Sequence, residues 1–184
     1  FSPDSKRLVS ASFKGEVIVW DVASNKQVQT LHHEYVIAAK FSPTGDRIAT
    51  ATQESVEVWD SNDGRLLVDI NVGVVYPDNN TGLLWLNNHV FTLSNNTIKQ
   101  FDAATGSAVA EWHVPDSDDY SCIALPKHGK FIAHSTNSTI TFWDTSTHTQ
   151  VGLIQHPQDA VLTIAFSPDD QFLAFGGEDR KISI

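Results

Sequence analysis

The sequence predicts an all-β fold made of repeated four-stranded antiparallel sheets. Three observations point to it: two short words recur in phase, each recurrence carries four short runs of alternating apolar and polar residues, and no capped segment of helical period appears.

The first word, Phe1-Ser2-Pro3-Asp4, returns as Phe41-Ser42-Pro43-Thr44 and as Phe166-Ser167-Pro168-Asp169. The second, Trp20-Asp21, returns as Trp59-Asp60, Phe101-Asp102 and Trp143-Asp144, at intervals of 39, 42 and 42 residues. The second word follows the first by 19 residues in the first copy and by 18 in the second. Leu86 and Leu125-Pro126 hold the first-word slot in copies three and four. A fifth copy opens at Phe166, and its aromatic would fall just past Ile184. The repeat units are therefore approximately 1–40, 41–85, 86–124, 125–165 and 166–184 of one partial domain.

Within each unit the apolar residues alternate with the period of half-buried strands. Val17 and Val19, Val56 and Val58, and Ile140 and Phe142 lead into Trp-Asp pairs. Leu8 to Ala11, Ile48 to Ala51 and Phe131 to Ala133 make a second strand; Val36 to Ala39 and Val161 to Ile164 make another. Val28 to Leu31 and Leu66 to Ile70 complete the set. Four short strands in about 40 residues make one blade of a β-propeller. The turn chemistry agrees. Five residues after each aromatic stand Asn25, Gly64, Gly106 and His148, all types that tolerate positive φ in a tight turn.

With Trp-Asp closing one strand, Phe-Ser-Pro-Asp closing another and a period near 40, the chain resembles the WD40-repeat family along its whole length. The third copy, with Phe101-Asp102 and no Ser-Pro, departs from the pattern. The resemblance implies a WD40-type β-propeller, here a partial one: an open arc of four-stranded antiparallel blades. It also implies a buried network of His, Ser or Thr, Asp and Trp in each blade. His156 and Asp179 match the His and Asp in the last unit, where Phe172 to Gly177 offers no hydroxyl. His33, Thr50 or Thr52, and Trp59 match in the second unit, where Gln53-Glu54-Ser55 fills the turn without Asp. The expectation is that these networks are incomplete. Strand order places the first unit without its innermost strand and the fifth without its outermost. The chain, with no Met and opening on Phe1, is expected to be an excised piece that self-associates alone and that two or three further blades of its parent would close.

Composition narrows the function. Twelve Lys and Arg against 22 Asp and Glu give a formal net charge of -10, unsuited to nucleic-acid phosphate or anionic membrane. The single cysteine, Cys122, cannot form an internal disulfide, which fits an intracellular location in the cytoplasm or nucleus. In Ser121-Cys122-Ile123-Ala124-Leu125 it reads as a buried small hydrophobe rather than a nucleophile. The eight histidines show no zinc spacing, and His32 and His33, being adjacent, face opposite sides of a strand. No nucleophile elbow, phosphate loop or metalloprotease word is present, so no metal, cofactor or catalytic residue is expected. Asn79-Asn80-Thr81, Asn95-Asn96-Thr97 and Asn137-Ser138-Thr139 are acceptor words relevant only to a secreted parent.

The expected function is a protein-interaction scaffold. Two rivals stand beside it: a propeller enzyme with a central-channel site, and a ligand-sensing array in a regulatory protein. The candidate partner-binding residues lie in loops before the first strand and after the second: His32, Glu34, Tyr35, Tyr76, Asp78, Asp118, Tyr120 and Gln158. Tyrosine among acidic groups favours a basic protein or peptide.

Overall fold

The computed structural model describes residues 1–52, 54–72, 82–94, 96–115, 121–136, 138–155 and 160–184. Among these residues every regular element is a strand, and none forms a helix able to cross a membrane. The strands group into five antiparallel sheets, each in chain order from one edge to the other. The first holds β1 (Arg7–Ala11), β2 (Glu16–Asp21) and β3 (Lys26–His32). The second holds β4 (Ala38–Phe41), β5 (Arg47–Ala51), β6 (Ser55–Asp60) and β7 (Leu66–Asn71). The third holds β8 (Gly82–Leu86), β9 (His89–Ser94), β10 (Thr97–Asp102) and β11 (Ala108–His113). The fourth holds β12 (Cys122–Ala124), β13 (Phe131–Ser135), β14 (Thr139–Asp144) and β15 (Gln150–Gln155). The fifth holds β16 (Val161–Phe166), β17 (Leu173–Gly177) and β18 (Ile182–Ser183). Four-stranded sheets thus fill the three central repeats and three-stranded sheets the first and last, the fold class that the two words predict.

The chain forms two compact units. One contains the first two sheets with Trp85–Thr92 and Lys99–Ala110; the other contains Leu93–Ile98 and Glu111–Ile184. In the first unit Val17, Val19 and Leu31 of one sheet bury against Val36, Phe41, Ile48 and Trp59 of the next. In the second, Ala124, Ala133 and Ile140 bury against Val161 and Ile164. Both cores come from the alternation: Val56 and Val58 are fully buried, while their neighbour Glu57 lies on the opposite side of the strand.

Each recurring word has a local mechanism. The Asp of Trp-Asp caps the following turn: Asp60 accepts the N–H groups of Asn62 and Asp63, Asp102 those of Ala104 and Thr105, and Asp144 those of Ser146 and Thr147. These bonds hold the three carboxyls below the usual carboxylate range. The serine of Phe-Ser-Pro closes the other hairpin, accepting the N–H of Arg7, Arg47 or Phe172 through Ser2, Ser42 or Ser167. The turn residues also hold their phase: Asn25, Gly64, Gly106 and His148 all have positive φ, at 54°, 72°, 74° and 57°. The strand pairing slips by one residue at the same place in three sheets, beside Trp20, Trp59 and Trp143.

The aromatics of the second word are not buried alike. Trp59 and Phe101 are 8% and 5% exposed, whereas Trp20 and Trp143 are half-buried. Trp20 shares its face with Leu8, Ser10 and Ile18, which are partly or fully open to solvent. Each indole N–H finds a hydroxyl: Trp20 donates to Ser10 at 2.8 Å, Trp59 to Thr50 at 2.9 Å and Trp143 to Thr141 at 2.9 Å. In the third sheet Phe101 has no N–H to give, and the buried Thr92 Oγ1 lacks a hydrogen-bond partner.

Two substitutions test this packing by denaturant melts. Trp59→Ala is expected to cost about 3–5 kcal/mol, and a loss below about 1 kcal/mol would refute its core role. Thr92→Val, which replaces an unsatisfied hydroxyl with a methyl of the same shape, is expected to be neutral or stabilising by about 1 kcal/mol.

Candidate interaction surface

The connection from β3 to β4 is anchored from below by a hydrogen-bonded line. His33, 8% exposed, places Nδ1 2.7 Å from Thr50 Oγ1 and Nε2 3.0 Å from Ser55 Oγ. Trp59 donates its indole N–H to the same Thr50 hydroxyl, and Thr52 Oγ1 lies 3.1 Å from Ser55 Oγ. The sequence leads one to expect an incomplete network here, since Gln53-Glu54-Ser55 has no Asp. That expectation is corrected: Ser55 supplies a hydroxyl where a carboxylate was sought.

Beside this line sits Glu57, with Oε2 3.1 Å from His33 Nδ1. It pairs across the sheet with Thr50 on one side and Asp69 on the other. Burial, then the charge of Asp69, pushes its carboxyl up to about 7. Among the described residues Oε2 makes no hydrogen bond, so the neutral form spares the fold a buried, unsatisfied charge. Burial depresses His33 below the ordinary histidine value.

Above this anchor the chain turns outward. The β1–β2 turn, Ser12-Phe13-Lys14-Gly15, closes with Gly15 N–H on Ser12 O at 3.0 Å. Gly15 has φ 91°, and its carbonyl takes the His33 N–H at 3.1 Å. A Cβ there would stand 3.1 Å from Glu34 Cα, so only glycine lets the two loops approach this closely. Tyr35 follows at φ 59°, a conformation that costs a bulky residue energy. Its ring meets Phe13 edge-on, with centroids 5.7 Å apart and planes at 75°. Both rings face water, Phe13 at 67% and Tyr35 at 61% exposed. Lys14, Glu16, His32 and Glu34 surround them, all exposed, with Glu16 directly across the strand pair from His32.

Of the eight residues expected to meet a partner, His32, Glu34 and Tyr35 thus stand together on one exposed connection. Tyr76, Asp78, Asp118, Tyr120 and Gln158 lie outside the described residues, as does His156. Phe13 escaped the sequence reading; its signal was an aromatic inside a Ser-Phe-Lys-Gly turn, where a polar residue belongs. Asp179 accepts the Lys181 N–H within a turn at 3.0 Å. Cys122 is half-buried with Sγ 2.9 Å from Ser135 Oγ, and burial pushes its thiol up, away from thiolate chemistry. In the fourth sheet His134 is fully buried, its Nε2 has no hydrogen-bond partner, and burial lowers it to about 4. No group of three or more His, Cys, Asp or Glu able to hold a metal occurs among the described residues.

Comparison with known proteins agrees with this geometry. The family described as WD domain, G-beta repeat matches residues 147–184. WD repeat-containing protein 1 of Gallus gallus is 24% identical over 157 residues, covering 80% of this chain and 26% of its own. The guanine nucleotide-binding protein subunit beta of Zea mays is 23% identical over 204 residues, covering 97% of this chain and 52% of its own. The chain resembles the WD40-repeat family, whose model matches its last repeat and part of the one before. The second family to match, eukaryotic translation initiation factor eIF2A, covers residues 1–76. The Dictyostelium discoideum periodic tryptophan protein 2 homolog is 24% identical over 92% of this chain and 19% of its own length. The chain therefore spans between a fifth and about half of the length of these relatives.

The buried groups set a pH profile for stability. Native Glu57 keeps its proton up to about pH 7, whereas an ordinary glutamate releases it near 4.5, so its contribution falls as pH rises through that window. Native His134 refuses a proton until about pH 4, whereas a free histidine takes one near 6.5, so its contribution falls as pH drops through that window. His33 acts in the same direction as His134. Between about pH 4.5 and 6.5 the slopes oppose. Melting temperature should therefore vary little there in the parent chain. In Glu57→Gln it should climb with pH up to about 6.5, because the histidines are then unopposed. A flat profile in Glu57→Gln would disprove the assignment.

Proposed function

We propose that this chain is a protein-interaction scaffold whose recognition surface is the loop face carrying Phe13, His32, Glu34 and Tyr35. One observation carries the reading: two large aromatic rings are held in water by a loop whose base is locked into the sheet. Exposed aromatics on a rigid frame lose little entropy on binding and suit an interaction hot spot. The surrounding carboxylates favour a basic protein or peptide over nucleic acid or membrane. The names of two relatives support an assembly role. One is a subunit of the guanine nucleotide-binding protein, and another, RACK1 of Glycine max, 31% identical over 39% of this chain and 22% of its own length, is a small ribosomal subunit protein.

Tyr76, Asp78, Asp118, Tyr120 and Gln158 stay in the proposal as partner-binding residues by their place in the sequence repeat alone. The function is binding rather than catalysis, in an intracellular setting, without cofactor. Further blades of the same protein are part of the reading. Phe172, Ile182 and Ile184, in or beside the fifth sheet, are 60%, 79% and 83% exposed, and a cavity of about 440 Å³ opens between Phe166, Phe172, Ala174 and Ile184. Another sheet would pack on this apolar face.

The test is comparative pull-down from cells with the full-length protein, followed by identification of the bound proteins. The double variant Phe13→Ala, Tyr35→Asn is expected to lose at least one partner while melting normally, because both side chains are exposed and Asn tolerates the Tyr35 backbone. Retention of every partner would remove this face from consideration.

A further inference from the structure

We propose that the Phe13–Tyr35 pair, with Glu34 and Glu16, forms a receptor for an arginine side chain in an extended segment of a protein partner. The inference rests on the interaction-scaffold reading and specifies its chemistry.

The edge-on contact fixes both rings and leaves ring faces open to water, since each residue is more than half exposed. An aromatic face carries partial negative charge and attracts a cation placed over it. The flanking charges point the same way. Glu34 stands against the Gly15 turn that carries Phe13, and Glu16 opens the strand immediately after that turn. Lys14 is the one full cation among residues 12–16 and 32–35, against these two carboxylates. An apolar occupant would bury Glu34 unpaired, which is costly. A phosphate would meet both carboxylates. A guanidinium satisfies both features at once: its flat face stacks on a ring while its in-plane N–H groups reach a carboxylate. A lysine ammonium offers only a point charge and is more strongly hydrated.

The arrangement is preformed. The Gly15 carbonyl holds His33, His33 is tied to Thr50 and Ser55, and Tyr35 already sits at positive φ. Little reorganisation is left for binding, and the site lies at an exposed rim that an extended chain can cross without entering the protein.

The experiment titrates acetylated Gly-Gly-Arg-Gly-Gly amide into the full-length protein. The readout is the NMR signals of the Phe13 and Tyr35 rings, and matched peptides carry lysine, citrulline or norleucine in place of arginine. The arginine peptide is expected to shift both rings saturably, to weaken as salt rises, and to bind at least about fivefold more tightly than its uncharged citrulline isostere. Phe13→Ala and Tyr35→Asn should each weaken it roughly two- to fivefold, and Glu34→Gln should weaken it and flatten the salt dependence. Equal shifts with citrulline or norleucine overturn the proposal, as does unchanged arginine binding in Phe13→Ala. If protein partners depend on the two rings but no peptide shows an arginine preference, the receptor falls and the scaffold reading stands. If arginine binds as described but no protein partner depends on the rings, the receptor stands and the scaffold reading falls.

Discussion

Thr50 Oγ1 receives the indole N–H of Trp59 and lies 2.7 Å from His33 Nδ1, so one hydroxyl joins a core aromatic to the loop entering the sheet. The rest of the first unit depends on that junction. Trp59 is a member of the core between the first two sheets, and its ring orientation is fixed when its N–H is satisfied. His33 is fixed in turn, and with it the backbone on either side. His32 at the end of β3 and Tyr35 at positive φ therefore project from a rigid base. A loop held only by its own turn would move more freely; this one is pinned through two ring nitrogens inside the fold.

The same slot is filled differently in each sheet, and the differences follow from what the aromatic can donate. Ser10 serves Trp20 at an exposed face. In the third sheet Phe101 has no donor, and among the described residues the Thr92 hydroxyl is left without a partner. His134 takes the slot in the fourth sheet, and Trp143 turns instead to Thr141 on its own strand. The repeat conserves shape and spacing more strictly than it conserves the hydrogen bond. A propeller blade tolerates this because its strands already satisfy their backbone groups; the side-chain line adds order to loops rather than holding the sheet together.

Periodicity made the sheets legible. A two-residue alternation and a spacing near 40 place the strand runs that they name to within about two residues, and the turn chemistry at Asn25, Gly64, Gly106 and His148 holds the register. Side-chain substitution across space was not legible. Ser55 stands in for an expected carboxylate, yet nothing in Gln53-Glu54-Ser55 says that a hydroxyl there reaches His33. Glu57 reads as an ordinary outward residue of an alternating strand, and only its burial and the charge of Asp69 reveal its shifted titration. The recurrence of Trp-Asp does not say what its Asp does; in space the carboxylate caps the next turn.

Phe13 shows why the surface was half visible. Sequence reasoning selects loop residues by polarity and position, which finds His32, Glu34 and Tyr35 but passes over an apolar residue in a neighbouring hairpin. The two loops are separated by the whole of β2 and β3 in the chain, and only antiparallel return brings them together. Gly15 then decides how close they come, because any side chain at its φ of 91° would be strained and would crowd Glu34. The proposed recognition surface is thus a product of hairpin geometry: one loop supplies a ring, the next supplies its partner and a carboxylate. The glycine lets the two loops approach, and the rings meet with centroids 5.7 Å apart.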